Sequence, residues 1–268
     1  WKVFYERNKQ AAYLTDSTKG ATPIYQEIAN LSAAKSAYGN IVYRKAPSFL
    51  RQAEFYLGED KFQNAVLAFL KKHEYANAGW EDLVREFEEA SGQDLKEWSR
   101  SWVTKRSLPT VRAKFDRIGG KKFLALVFAQ NDTINEGGTW LMNAKVLIGE
   151  DGRRRIESAV LTSKGSPFFG IDDNAEQTGN YFAFPNYQDY GYGIFLLDAK
   201  SRDYVLKNIQ NEKDDFLRSM MWGSLWDSVR EGELDPKEYV ELVIRALSPG
   251  FSRPSVAKKP PEGGTPSA

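Results

Sequence analysis

The period of the hydrophobic pattern changes twice along the chain, near residues 107 and 200, and divides it into helical, strand-rich and helical thirds. A spacing of 3.6 residues buries one stripe of a helix and a spacing of two buries one face of a strand. A fold built from one kind of element is therefore excluded. At 268 residues the chain has room for about two domains of ~150 residues each.

In the first third, Phe62, Val66, Phe69 and Leu70 predict one stripe of a helix over about residues 59–73. Trp80, Leu83, Val84 and Phe87 repeat the spacing, and Ser91-Gly92 supplies a C-terminal stop. Asp94 with Glu97 predicts a capping box ahead of a helix burying Leu95, Trp98 and Trp102. An earlier helix is predicted over about residues 41–56, with Pro47 in its first turns, where a missing amide proton costs least.

From Leu108 the period becomes two, with Val111, Ala113 and Phe115 alternating with polar residues. Gly119-Gly120 predicts a tight turn into a strand over 122–129, and segments 140–148 and 156–161 flank an Asp151-Gly152 turn. Two more strands are predicted at 181–185 and 190–197, so that six or seven short strands form an antiparallel sandwich. The helical period returns after Asp198, with Leu217, Met221, Ser224 and Leu225 on one face, Trp222, Trp226 and Val229 beside it, and Gly232 as the stop. Asp235, Pro236 and Glu238 then open a second helix with Tyr239, Val243 and Leu247 on its apolar face. The proline-rich stretch 249–268 has almost no large apolar residue and is predicted to be disordered.

Residue counts narrow the chemistry. The net charge of +1 gives no electrostatic pull toward nucleic acid or anionic lipid. The longest apolar run, 123–129, is far shorter than the ~18 residues of a membrane span. Cysteine is absent, which removes disulfides and thiolate chemistry and leaves cytoplasm and periplasm both compatible. His73 is the single histidine, so a two-histidine H-E-x-x-H metal site cannot be built, and no metal-ligand cluster is predicted. His73 itself, beside Lys71, Lys72 and Glu74, reads as a solvated or capping residue at a helix end. The run Arg153, Arg154, Arg155 reads as a solvated hairpin.

The segment Ala37-Tyr38-Gly39-Asn40-Ile41-Val42-Tyr43-Arg44-Lys45-Ala46-Pro47 resembles the Y-x-K-G segment of the aminopeptidase N-type zinc aminopeptidases, the gluzincins of peptidase family M one. Thr22-Pro23-Ile24 is similar to that family's H-P-I stretch, and Leu57-Gly58-Glu59 through Phe62 to its L-G-E-x-x-F. His73 to Ala78 resembles the H-x-Y-x-N-A link, and Asp82-Leu83, Ser91-Gly92 and Trp102 resemble positions that close the catalytic domain. Leu108 to Val111, Gln130, Trp140 and Asn186 to Phe195 look like the family's β-sandwich, and Trp222 to Leu247 like the opening of its helical domain.

The resemblance implies an α+β multidomain chain. Residues 1–107 are the helical C-terminal part of a thermolysin-like catalytic domain, 108–198 an antiparallel β-sandwich, 199–248 the start of an α-helical domain and 249–268 the tail. It implies removal of N-terminal residues from peptides by zinc-activated water, with Tyr43 donating a hydrogen bond to the oxyanion and Tyr38 near the substrate. Zinc would belong to the full-length parent and none to this chain, because the family's zinc ligands have no counterpart here. By family order those ligands would precede Trp1, so the partners expected are a peptide substrate and an N-terminal catalytic part, and the chain by itself is expected to be inactive. Ala46 replaces the glycine of the motif and Pro47 follows it. That departure leaves an alternative open, a non-catalytic interaction module on the same scaffold. A third reading, a carbohydrate-binding sandwich, rests on the aromatics between Tyr181 and Tyr192, among them Tyr187 and Tyr190.

Overall fold

A computed structural model describes residues 1–118, 123–162 and 169–247. The chain opens in a continuous helical run: α1 (Lys2–Phe4), a wider π turn (Tyr5–Lys9) and α2 (Gln10–Asp16). After α3 (Leu31–Ala37) a second π turn (Ile41–Lys45) leads directly into α4 (Ala46–Leu57). Then follow α5 (Glu59–Lys72), α6 (Trp80–Ser91) and α7 (Lys96–Val103). Gly58 and Gly92, both at positive φ, end α4 and α6, a conformation that costs a glycine nothing. The sequence pattern did not reveal the helical run over 2–16 or α3.

The strands are β1 (Pro109–Ile118), β2 (Phe123–Asp132), β3 (Met142–Glu150), β4 (Arg153–Leu161), β5 (Phe169–Gly170), β6 (Tyr181–Tyr187) and β7 (Ile194–Leu196). They form two small sheets, β5-β2-β1-β7 and β4-β3-β6. All pairings are antiparallel except β1 with β7, which is parallel and matches Thr110 to Ile194. This corrects the purely antiparallel expectation. β7 is entered through Gly191 and Gly193 after two left-handed residues, Gln188 and Asp189, so it reaches β1 from the other direction. The same irregular backbone shortens the strand predicted over 190–197 to three residues. Asp151 and Gly152, both at positive φ, make the tight turn between β3 and β4. The predicted Gly119-Gly120 turn and the 249–268 tail lie outside the described residues.

Helices α8 (Asp173–Thr178), α9 (Ala199–Asn208), α10 (Asp215–Arg230) and α11 (Pro236–Leu247) complete the fold, with a 3-10 turn at Ile209–Asn211. Asp198 and Asp214 cap α9 and α10 by accepting from the first free amides, and Asp235 accepts from Lys237 N. One apolar cluster runs from Ala12 and Phe49 through Phe87, Trp98 and Trp102 to inward residues of both sheets. A second joins Phe182 and Phe184 of β6 to Leu217, Met221 and Leu225 of α10 and Leu242 of α11. Tyr5 belongs to this second cluster, its hydroxyl lying where a Cβ on Gly223 would stand.

Three local expectations need correction. Leu70, read as part of the α5 stripe, is 60% exposed, and Ala65 is buried instead because it faces the neighbouring helices. On α11 Leu247 is likewise exposed and Leu242 is the buried residue. The Asp94–Glu97 box is not formed: Asp94 accepts from Lys96 N, and Glu88 of the preceding helix takes the Leu95 amide. The reciprocal bond of a capping box occurs at α6, where Asp82 accepts from Gly79 N.

Candidate functional site

Tyr38 and Tyr43 sit on the short segment between α3 and α4. Tyr38 is extended, Asn40 turns the chain into helical geometry, and the Tyr43 amide donates to Gly39 O at 3.2 Å. The next turn is wider, with Ala46 N donating to Ile41 O. Pro47 supplies the reason, since it lacks the amide hydrogen that an α-turn would offer to the Tyr43 carbonyl. In this register Ile41 and Lys45 point inward and are buried, while Tyr43 between them points out. Ala46 has φ −56° and ψ −39°, ordinary helical geometry open to any L residue, so its position does not demand the glycine of the motif.

Two anchors fix the segment to α2. The Asn40 side-chain amide donates to Thr15 Oγ1 at 2.7 Å. Lys45, fully buried, places Nζ 2.7 Å from Asp16 Oδ2 and donates to Ser107 O at 2.7 Å and Lys105 O at 3.4 Å. Asp16 also accepts from Ser107 N and from the Tyr192 hydroxyl. Lys45 is thus an internal scaffold charge. Burial pulls its pKa below the usual lysine range, and the Asp16 carboxylate opposes that shift.

The two phenols are brought together on the surface. Their ring centroids are 5.6 Å apart at an interplanar angle of 36°, with Tyr38 67% and Tyr43 57% exposed. The Tyr43 phenol is raised above its ordinary value, first by partial desolvation and then by the Tyr38 phenol beside it. It is therefore a protonated donor at neutral pH. Rigid elements hold the backbone while the hydroxyl edge stays accessible, which is what a positioned hydrogen-bond donor requires.

A second buried ion pair, missed in the sequence, braces the other side of the same helical run. Lys9 Nζ donates to Asp189 Oδ1 at 2.6 Å and to Gly191 O at 2.5 Å, both side chains fully buried, and Trp1 Nε1 donates to Asp189 Oδ2. The only local signal was the turn-rich stretch Asn186 to Gly193, three residues of which adopt positive φ without being glycine.

The remaining candidates are engaged in packing. Tyr192 is buried and bonded to Asp16, and Tyr190 stacks on Phe55 at 4.3 Å with Arg51 over its other contacts, so no open aromatic platform for a sugar exists there. His73 caps the C-terminus of α5 through its amide and lies 5.2 Å from the Phe69 ring. Among the described residues no group of His, Cys, Asp and Glu could hold a metal ion, so these residues offer zinc no fitting donor set. No helix among them is long and apolar enough to cross a membrane.

Residues 1–102 match the family described as the Peptidase family M1 domain. Aminopeptidase N of Streptomyces lividans is 26% identical over 264 residues, covering 92% of this chain and 30% of that protein. The tricorn protease-interacting factor F2 of Thermoplasma volcanium is 30% identical over 254 residues, with the same two coverages. Aminopeptidase M1 of Arabidopsis thaliana is 28% identical over 211 residues, 78% of this chain and 19% of that protein. The chain spans less than a third of the length of these curated relatives. By these matches the chain is a relative of the aminopeptidases of peptidase family M1, with the family's domain matched over its first 102 residues.

Proposed function

We propose that this chain serves a zinc-dependent aminopeptidase by presenting Tyr43 to the carbonyl of a peptide's first bond. The zinc ligands would lie on polypeptide outside these 268 residues, since one histidine cannot make the family's two-histidine motif. The observation that carries this reading is the anchored, outward-facing Tyr43 phenol with Tyr38 alongside. As negative charge develops on the carbonyl oxygen, the Tyr43 O–H donates to it. A donor prearranged by Asn40 and Lys45 needs no reorganisation at that moment. Tyr38 would line the substrate side, and the chain alone would not hydrolyse peptides. We further assign residues 1–107 to the end of a catalytic domain, 108–198 to a β-sandwich and 199–248 to the start of a helical domain. The non-catalytic alternative gains no support from Ala46, which keeps ordinary helical geometry, and the turn that Pro47 widens still leaves Tyr43 pointing outward.

The test is Tyr43→Phe in the complete protein. The ring is exposed, so removing one hydroxyl leaves the fold intact. A fall in kcat of about 100-fold, with KM and zinc content little changed, is expected from loss of one oxyanion donor. A kcat within twofold of wild type would remove Tyr43 from the mechanism.

A further inference from the structure

A groove of about 490 Å³ opens where the β3–β4 turn, the entry to β6 and helix α9 meet. Its volume is that of a small-molecule site, roughly 300–1,000 Å³. Phe182 and Tyr204 lie along its floor, stacked on each other at 3.6 Å with an interplanar angle of 7°. Glycine at position 149 makes that floor possible, because a Cβ there would stand 2.0 Å from the Phe182 ring.

The walls carry an excess of positive charge. Arg154 is paired to Glu212 at 2.8 Å, and Glu150 is held by the Asp172 amide and by Arg155 at 3.0 Å, an arginine that Glu157 shares at 2.5 Å. Arg153, Lys200 and Lys207 also line the groove, and among the described residues none of them has a carboxylate within ion-pair distance. Asp203 is the one remaining lining carboxylate. Lys200 is already positioned: its ammonium lies 4.3 Å from the Tyr181 ring centroid. Arg153, Lys200 and Lys207 set against the single carboxylate of Asp203 leave the groove with a local positive field that the chain's overall charge of +1 conceals.

We propose that this groove binds a small, multiply charged anion of the phosphate or polycarboxylate type, with Arg153, Lys200 and Lys207 contacting its charges and the Phe182–Tyr204 floor its uncharged body. The site is independent of Tyr43 and of the peptidase reading.

Calorimetric titration of the protein with inorganic triphosphate and, separately, with citrate tests it. Saturable 1:1 binding of either anion is expected, weakening as salt rises. Triphosphate alone would identify a phosphate-bearing ligand, and equal binding of both would mean that charge and size suffice. The double variant Lys200→Gln, Lys207→Gln should bind about tenfold more weakly. Lys61→Gln, Lys71→Gln on the exposed face of α5 should stay within twofold of wild type. Tyr204→Ala, which keeps every charge, should weaken the binding of phenyl phosphate and leave that of inorganic triphosphate within twofold of wild type. The proposal fails if neither anion binds below about 1 mM, if only an oligoglutamate peptide binds, or if both double variants lose affinity equally.

Discussion

Lys45→Met is expected to lower the unfolding free energy by about 3–5 kcal/mol, the cost of leaving one member of a buried ion pair without its partner. Methionine matches the length of the lysine stem, so the cavity contribution is small and the loss comes from the stranded charge. Asp16 would remain fully buried with only the Ser107 amide and Tyr192 hydroxyl as donors, and Ser107 O would lose its ammonium. Urea unfolding of wild type and variant reads the difference directly. Removing both charges, as in Asp16→Leu with Lys45→Met, should cost less than the single change, because two desolvation penalties disappear together. The Lys9–Asp189 pair argues the same way. Burial lowers the Lys9 pKa and raises that of Asp189, so each ion is pushed toward its neutral form despite the attraction between them. A loss below 1 kcal/mol for Lys45→Met would show that water reaches Asp16.

Asp227→Asn is expected to stabilise the protein at alkaline pH and to have little effect near pH 4. Asp227 on α10 is 5% exposed, its Oδ1 has no hydrogen-bond partner, and Arg230 approaches only to 3.8 Å. Burial raises its pKa to about 7, against a partial lowering by Arg230 and a further rise from Glu231. In the unfolded chain the same carboxyl titrates near ~3.9. Between those values the folded state holds a proton that the unfolded state has released. Stability therefore falls as pH rises through this window, the reverse of the usual carboxylate, and the full loss is present above pH ~7. At 1.36 kcal/mol per pH unit this is on the order of 4 kcal/mol. The amide keeps the neutral form at every pH, so its advantage over wild type should grow from near zero at pH 4 to that magnitude at pH 8.5, measured by urea unfolding at each pH. Equal effects at both pH values would sink the assignment.

The parts of the fold that were legible in the sequence are those set by local spacing. Helices α4 to α7, α10 and α11 and the β3–β4 hairpin follow from apolar periodicity and from Gly92, Asp151-Gly152 and Asp235. What was hidden depends on partners distant along the chain. Lys45 looks like any helix lysine until Asp16 and Ser107 surround it, and nothing near Lys9 announces Asp189, 180 residues away. The parallel β1–β7 pairing is hidden for the same reason, because a three-residue strand carries no direction in its own pattern. The juxtaposition of Tyr38 and Tyr43 came from resemblance to a family; five residues of spacing alone do not place two rings on one side of a turn whose register a proline has widened.

The ion pair between Lys9 and Asp189, together with Gln52 donating to Tyr190 O, also sets an order of events during synthesis. The first helical run emerges from the ribosome carrying a lysine whose counter-charge is still to be translated, about 9–36 s later at ~5–20 residues per second. Until then the opening helical run has no dry place to bury Lys9, and the face it will share with the 186–193 turn stays wet. Contacts of such long sequence separation are slow to form, because loop closure costs entropy before any burial repays it. The nascent helices should therefore remain open to proteolysis and chaperone binding until the β6–β7 turn docks, and the helical and strand-rich segments should then gain protection from amide exchange together.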